Sequence, residues 1–170
     1  AKTIHILINN TGGPPAGPIV NALASEFISA FHNHLICNHF LSQAVMDGMQ
    51  NAGYGRIINI ISTSVKQPLD GLGVSNTTRG AVASWAKTMA NELARFGITV
   101  NNVLPGATST GRLEEIINNK AEKVGVTKED VEENMKKSIP LGRFAEPAEV
   151  ANAVAFLASP AAAYINGINL

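Results

Sequence analysis

Cysteine is almost missing from this chain: Cys37 is the single example in 170 residues. No internal disulfide can form, no Cys or His spacing around it suits zinc, and a cytosolic location is expected. Long apolar runs are missing as well. None approaches the ~18–20 residues of a membrane span, and residues 1–10 hold no basic stretch leading into a long apolar one, so no membrane partner is expected. Neither sign of charge prevails. Thirteen basic residues balance thirteen acidic ones, which leaves no global field to draw nucleic acid or an anionic surface. Neither Gly-x-x-x-Gly-x-Gly nor Gly-x-Gly-x-x-Gly, the loops that cradle a pyrophosphate, occurs anywhere. What remains is 45% apolar and 15% charged, the composition of one globular domain with a real core.

The apolar residues fall into short blocks. Ile4–Ile8 is rich in β-branched residues and stops at Asn9-Asn10-Thr11-Gly12-Gly13-Pro14-Pro15, a dense turn signal. Arg56–Ile61 repeats the form before Ser62-Thr63-Ser64, and Ile98–Val103 repeats it before Pro105-Gly106. Ile168-Asn169-Leu170 starts a fourth block. Apolar runs without alternation read as strands covered on both faces, the mark of a parallel sheet between helices.

Helical spacing fills the intervals. Phe27, Phe31, Leu41, Val45 and Met49 outline one face of a helix reaching about Gln50. Val82, Ala86, Met89 and Leu93 outline a second, closed by Gly97. Val150, Val154 and Leu157 outline a third, with Pro147 in its first turn. The alternation predicts an α/β fold, an open doubly wound parallel sheet with right-handed crossovers. The stretch 111–140 departs from this rhythm. It carries half of the charge in the chain and no strand. Thr127-Lys128-Glu129-Asp130 resembles a capping box opening a short helix with Val131 and Met135 inside. Such an insertion is either a substrate lid or a solvated surface excursion.

Ile4–Ile8 is built as an interior strand, yet the sequence offers it one neighbour, and an uncharged apolar edge is a type that proteins avoid exposing. With the missing pyrophosphate loop, this leads to the expectation that residues 1–170 are the later strands and helices of a larger domain.

Four segments together resemble the short-chain dehydrogenase/reductase family, in the branch similar to 3-oxoacyl-carrier-protein reductases. Asn9-Asn10-Thr11-Gly12 is similar to its Asn-Asn-Ala-Gly turn. Gly55–Ser62 resembles its fifth strand ending in the catalytic serine. Val100–Gly106 resembles its sixth strand and Pro-Gly cofactor turn. Pro140-Leu141-Gly142-Arg143, Pro147–Ala151 and Phe156–Ser159 resemble its late helix. The resemblance implies a Rossmann-type domain and NAD or NADP as cofactor, with the cofactor expected to be unbound in this fragment. It also implies a small carbonyl or alcohol substrate. Asn10, Gly12, Pro105, Gly106, Thr108 and Thr110 would be the cofactor contacts, unless the turn residues among them serve only as turn formers. A homo-oligomer, dimer or tetramer, would form through the helices around 27–50 and 75–96, with Trp85 and Met89 as apolar anchors.

The departures concern the chemistry. Aligned from Ser62, the Tyr-x-x-x-Lys of the family falls on Ser75-Asn76-Thr77-Thr78-Arg79, and its asparagine position falls on His34. Ser62 alone of these four catalytic positions keeps its family identity. A phenol with a pKa of about 10, brought down by a lysine, is thereby replaced by a much weaker acid. Arg79 could hold the ribose but does not readily give up a proton. The candidate catalytic set is Ser62, Ser75, Arg79 and His34, with Lys66 as a second possible proton donor. Against it stand the readings of His34 as an interhelical histidine and Ser62 as a structural residue. No metal site is expected, because His32, His34 and His39 do not share a helical face. Cys37 is expected to be a buried small residue. The enzyme reading is an oxidoreductase with an atypical site; the rival is a dinucleotide-binding or scaffold protein that has lost catalysis.

Overall fold

A computed structural model describes residues 3–170. The chain divides into two compact units, Ala1–Leu104 with Ala153–Leu170, and Pro105–Asn152.

The first unit holds three parallel strands in the order β1 (Ile6–Asn9), β2 (Gly55–Ile60), β3 (Ile98–Val103). The closing segment Ile168–Leu170 lies parallel along β3 through a bridge between Asn102 and Asn169, as the sequence leads one to expect of a further strand. Leu7, Ile57 and Val100 stand opposite one another and share a core with Met49, Ala86, Met89, Ala90 and Leu93. These come from helices α2 (Cys37–Ala52) and α3 (Gly73–Leu93), so the apolar sheet row and the apolar helix faces bury each other.

One pleat further along the same sheet face, the row is polar. Asn9 Nδ2 donates to Asn59 Oδ1 at 2.9 Å, Asn59 Nδ2 donates to Asn102 Oδ1 at 2.9 Å, and Asn102 Nδ2 donates to Asn169 Oδ1 at 2.8 Å. All four are register partners. The amides form a ladder across the sheet, and its head, Asn9 Oδ1, is buried without a partner among the described residues.

Three sequence expectations are corrected. β1 is not covered on both faces: Leu7 enters the core, whereas Ile6 and Ile8 are 44% and 49% exposed. The helix after β1 is α1 (Ala24–Phe31), a π-helical segment His32–Ile36, then α2. Beyond the π-helical segment the buried line runs Asn38, Ser42, Met49, which leaves Leu41 46% exposed instead of facing inward. Met89 is only 8% exposed, because it fills the core of its own chain, and it cannot anchor a second copy. Trp85 is half-buried against the same core and meets His39 edge-on. Cys37 is half-buried and free.

At the lower rim two helix ends meet. α2 stops at Gly53 (φ 62°), and the turn Ala94–Phe96 after α3 stops at Gly97 (φ 72°), where the sequence places a cap glycine. A Cβ on Gly97 would stand 2.3 Å from the Gly53 carbonyl oxygen. Buried Arg56 donates to the Gly55 carbonyl at 3.0 Å, its guanidinium 4.4 Å from the Tyr54 ring centre.

The second unit contains α4 (Gly111–Val124), α5 (Lys128–Lys137) and the first half of α6 (Pro147–Ala158). Its own core joins Leu113, Ile117, Ala121, Val131 and Phe144, with Met135 packed against them. α5 opens with the expected capping box. The Thr127 hydroxyl accepts from the Asp130 N–H, while the Asp130 carboxylate accepts from the Thr127 hydroxyl and, second in effect, from the Thr127 N–H, and these two bonds to the carboxylate lower the Asp130 pKa. Arg143 binds Glu149 through both terminal nitrogens at 2.7 Å each, which lowers the Glu149 pKa to about 2.

Removing one rung tests the ladder. Asn59→Ala leaves Asn9 Nδ2 and Asn102 Oδ1 without partners and should cost about 2–4 kcal/mol in urea unfolding, whereas exposed Asn10→Ala should change stability by less than ~0.5 kcal/mol.

Candidate functional site

The turn after β1, the π-helical segment, the end of β2 and α3 converge at the C-terminal edge of the sheet. In open α/β sheets, that edge is where ligands bind. β1 ends at Asn9, held in the ladder, and the chain emerges as exposed Asn10, half-buried Thr11 and exposed Gly12. Gly12 has no positive φ, and a Cβ there would meet nothing within 4 Å. The fold itself therefore does not require glycine, and the space in front of it is open to a close-approaching molecule.

His34 faces this turn. A π-helical turn shifts the phase of the helix and often marks a functional site. Here it holds the imidazole inward at 3% exposure, with Nδ1 2.5 Å from Thr11 Oγ1. Burial, then the positive charge of Arg79, lower the His34 pKa from 6.5 to about 4, while a backbone hydrogen bond to Gly12 acts in the opposite sense. His34 also lines a cavity of about 320 Å³ between the Gly12–Pro15 turn and Ser25, Glu26 and Ser29. The Glu26 carboxylate is turned to the Leu23 N–H, where it caps α1.

Arg79 is buried on the inner face of α3. Its guanidinium Nη1 donates to the carbonyls of Ile60 at 2.7 Å and Ile61 at 3.1 Å. These carbonyls close β2 just before Ser62, so Arg79 fastens the strand end that presents the serine. The Ser62 Oγ accepts from Ser64 N–H at 3.1 Å and opens the short turn Thr63–Val65, against which α3 packs. Ser75 is half-buried one turn before Arg79. Lys66 is exposed.

The structure thus joins Arg79, His34, the 10–12 turn and the strand end carrying Ser62. No side-chain hydrogen bond links Ser75 to any of them among the described residues. Pro105, Gly106, Thr108 and Thr110 belong to the second unit. There the Thr108 hydroxyl donates to the Gly106 carbonyl at 3.2 Å, and the Thr110 hydroxyl to the Thr108 carbonyl at 3.3 Å, just ahead of α4. His32 is exposed and His39 sits against Trp85, so the three histidines diverge. Among the described residues no group of three His, Cys, Asp or Glu could hold a metal ion, and no helix is long and apolar enough to cross a membrane.

Sequence reasoning missed Thr11 and the asparagine ladder. The signal for Thr11 was its place in the motif itself, where the Asn-Asn-Ala-Gly turn has a residue without a hydroxyl. The signal for the ladder was the recurrence of asparagine inside or at the end of each apolar block.

The whole chain, residues 1–170, matches the family model described as enoyl-(acyl carrier protein) reductase. It is 34% identical over 169 residues to the 3-oxoacyl-[acyl-carrier-protein] reductase FabG of Vibrio cholerae, covering 98% of this chain and 64% of that protein. It is 32% identical over 164 residues to a chloroplastic tropinone reductase homolog of Arabidopsis thaliana, covering 96% of this chain and 48% of that one. Among solved structures, an actinorhodin polyketide ketoreductase variant with NADPH superposes with a TM-score of 0.93 at 29% identity, over 99% of this chain and 65% of its own. NAD+-bound xylitol dehydrogenase gives 0.91 at 27%, over 99% and 67%. The chain spans about half to two thirds of the curated relatives' lengths.

His34 makes stability depend on pH. Its folded pKa lies below the unfolded one, so between about pH 4 and 6.5 the unfolded chain binds more protons. The contribution is complete above pH 6.5 and is lost as the pH falls through that interval, by about 2–4 kcal/mol in all. Urea midpoints measured from pH 7 to pH 4 should show this slope, and His34→Asn should flatten it.

Proposed function

The chain belongs to the short-chain dehydrogenase/reductase family, and from that premise we propose that the complete protein is an NAD(P)-dependent oxidoreductase. It acts on a small carbonyl or alcohol compound, with 3-oxoacyl thioesters the class suggested by the relatives' names, and its proton-delivery apparatus is altered. The observation that carries this reading is the junction of Arg79 with the β2 end. A cation is buried beside Ser62 and held at two carbonyls, although the tyrosine and lysine of the family are absent.

The residues present fit a nicotinamide dinucleotide at the edge of the sheet. Gly12 leaves open space there, and Asn10 is exposed next to it. When bound, the nicotinamide supplies or takes up hydride. The protein orients and handles the proton. In this proposal Ser62 donates a hydrogen bond to the substrate oxygen, Ser75 holds a proton-donating water, and Arg79 keeps positive charge near the reacting centre. His34 is not the proton store. With a pKa of about 4, only about one molecule in a thousand carries the imidazolium at pH 7. The loss of a positioned acid costs about 10²–10⁴ in rate, so turnover is slow. Pro105, Gly106, Thr108 and Thr110 complete the cofactor contacts, residues 111–140 serve as the substrate lid, and the protein works in the cytosol as a homo-oligomer.

A second reading, a dinucleotide-binding protein without turnover, is favoured by one observation. The Arg79 Nη1 is committed to the Ile60 and Ile61 carbonyls, and a ribose would have to compete for it. Titration of the complete protein with NADH and NADPH, followed by turnover with a panel of ketones and 3-oxoacyl thioesters, separates the two. We expect binding, slow turnover, a further loss in Ser62→Ala, and a gain of about 10²–10⁴ in the Ser75→Tyr/Arg79→Lys double variant. Binding without turnover in either protein supports the second reading, and no binding rejects both.

A further inference from the structure

Three residues that differ from the family pattern occupy one continuous patch. Thr11 replaces the alanine of the turn, His34 replaces an asparagine, and Arg79 replaces a lysine. They come from three separate elements: the turn after β1, the π-helical segment and α3. Thr11 Oγ1 meets His34 Nδ1 at 2.5 Å across 23 residues of sequence, and Arg79 lies close enough to act on the imidazole by its charge. Alanine has no hydroxyl to offer, so this bond requires the threonine.

The bond also falls where the turn needs it. Asn9 is fixed in the ladder on one side of the turn, and on the other the Gly17 N–H donates to the Gly71 carbonyl at 2.7 Å. Between these points Gly12 has open space where a side chain would stand, its backbone is hydrogen-bonded to His34, and Asn10 is exposed; these are the two residues assigned to nucleotide contact. His34, buried and set by the π-helical segment, is a rigid post for the turn to lean on.

We infer that Thr11 and His34 form a positioning couple that holds the Asn10–Gly12 turn in its nucleotide-binding conformation. Neither touches the reacting atoms. Their effect is on affinity for the dinucleotide, and the inference rests on the cofactor reading given above.

Thr11→Val keeps the shape and removes the hydroxyl, and Thr11→Ser keeps the hydroxyl. Each is compared with the wild type in the complete protein by NADH and NADPH titration and by the NMR signals of the His34 ring. The expected result is a dinucleotide affinity about tenfold weaker in Thr11→Val, the value of one lost hydrogen bond. The His34 ring signals should be displaced in that variant, and both properties should return in Thr11→Ser. Thr11→Ala takes the place of valine if the latter does not fold. Wild-type affinity in the hydroxyl-free variants, or failure of serine to restore it, overturns the couple. If the wild type itself binds neither dinucleotide, the cofactor reading has failed and the couple's role falls with it.

Discussion

A line of four amides, three of them buried, determines how this sheet is put together. Asn9, Asn59 and Asn102 each give an N–H to the oxygen of the next asparagine, so these side chains point one way and none is interchangeable with an apolar neighbour. In a sheet of this kind, a slip of one residue sends every side chain to the opposite face. Apolar residues alone define the register weakly here, because β2 up to Asn59 and all of β3 are buried and isoleucine or valine would fit at several settings. The amides remove that freedom. An unpaired buried amide costs more than a paired one returns, and only the observed register pairs them.

The ladder stands immediately beneath the site. Asn9 is followed by the 10–12 turn, Asn59 by the carbonyls that receive Arg79, and Asn102 by the last residues of β3. The level at which each strand ends is therefore set by the same row of bonds that sets their register. Arg79 and His34 then close the gaps between strands and helices. Arg79 does so through the carbonyls of Ile60 and Ile61, and His34 through the Thr11 hydroxyl. The scaffolding around them has the form of its relatives, as the superposition with a polyketide ketoreductase indicates.

The sequence made the local features readable. Three strands, the Gly97 cap, the Thr127 capping box and the parallel pairing of Ile168–Leu170 each depend on a few adjacent residues, and each occurs where those residues predict. What escaped depends on distance. Helical periodicity assumes a constant 3.6 residues per turn, so the π-helical segment made Leu41 look inward when it faces out. The ladder uses polar residues within apolar blocks, and polarity there suggests exposure, not a cross-strand bond. Met89 satisfied the spacing for a helix face, but spacing cannot say whether that face meets its own sheet or another molecule. Of the site, the identities of the candidate residues were legible; that Thr11 bonds His34 and that Arg79 acts on it by charge was not, since partners 23 and 45 residues apart leave no local trace.

The meeting of Gly53 and Gly97 at the opposite rim limits how this domain can vary. Two crossovers finish there at one level, with a carbonyl occupying the room that any side chain at 97 would need. Adding a residue to either helix end would push one backbone into the other. Changes in length must therefore accumulate at the upper rim, in the connections at the C-terminal edge of the sheet, and the closed floor leaves that rim free to diversify.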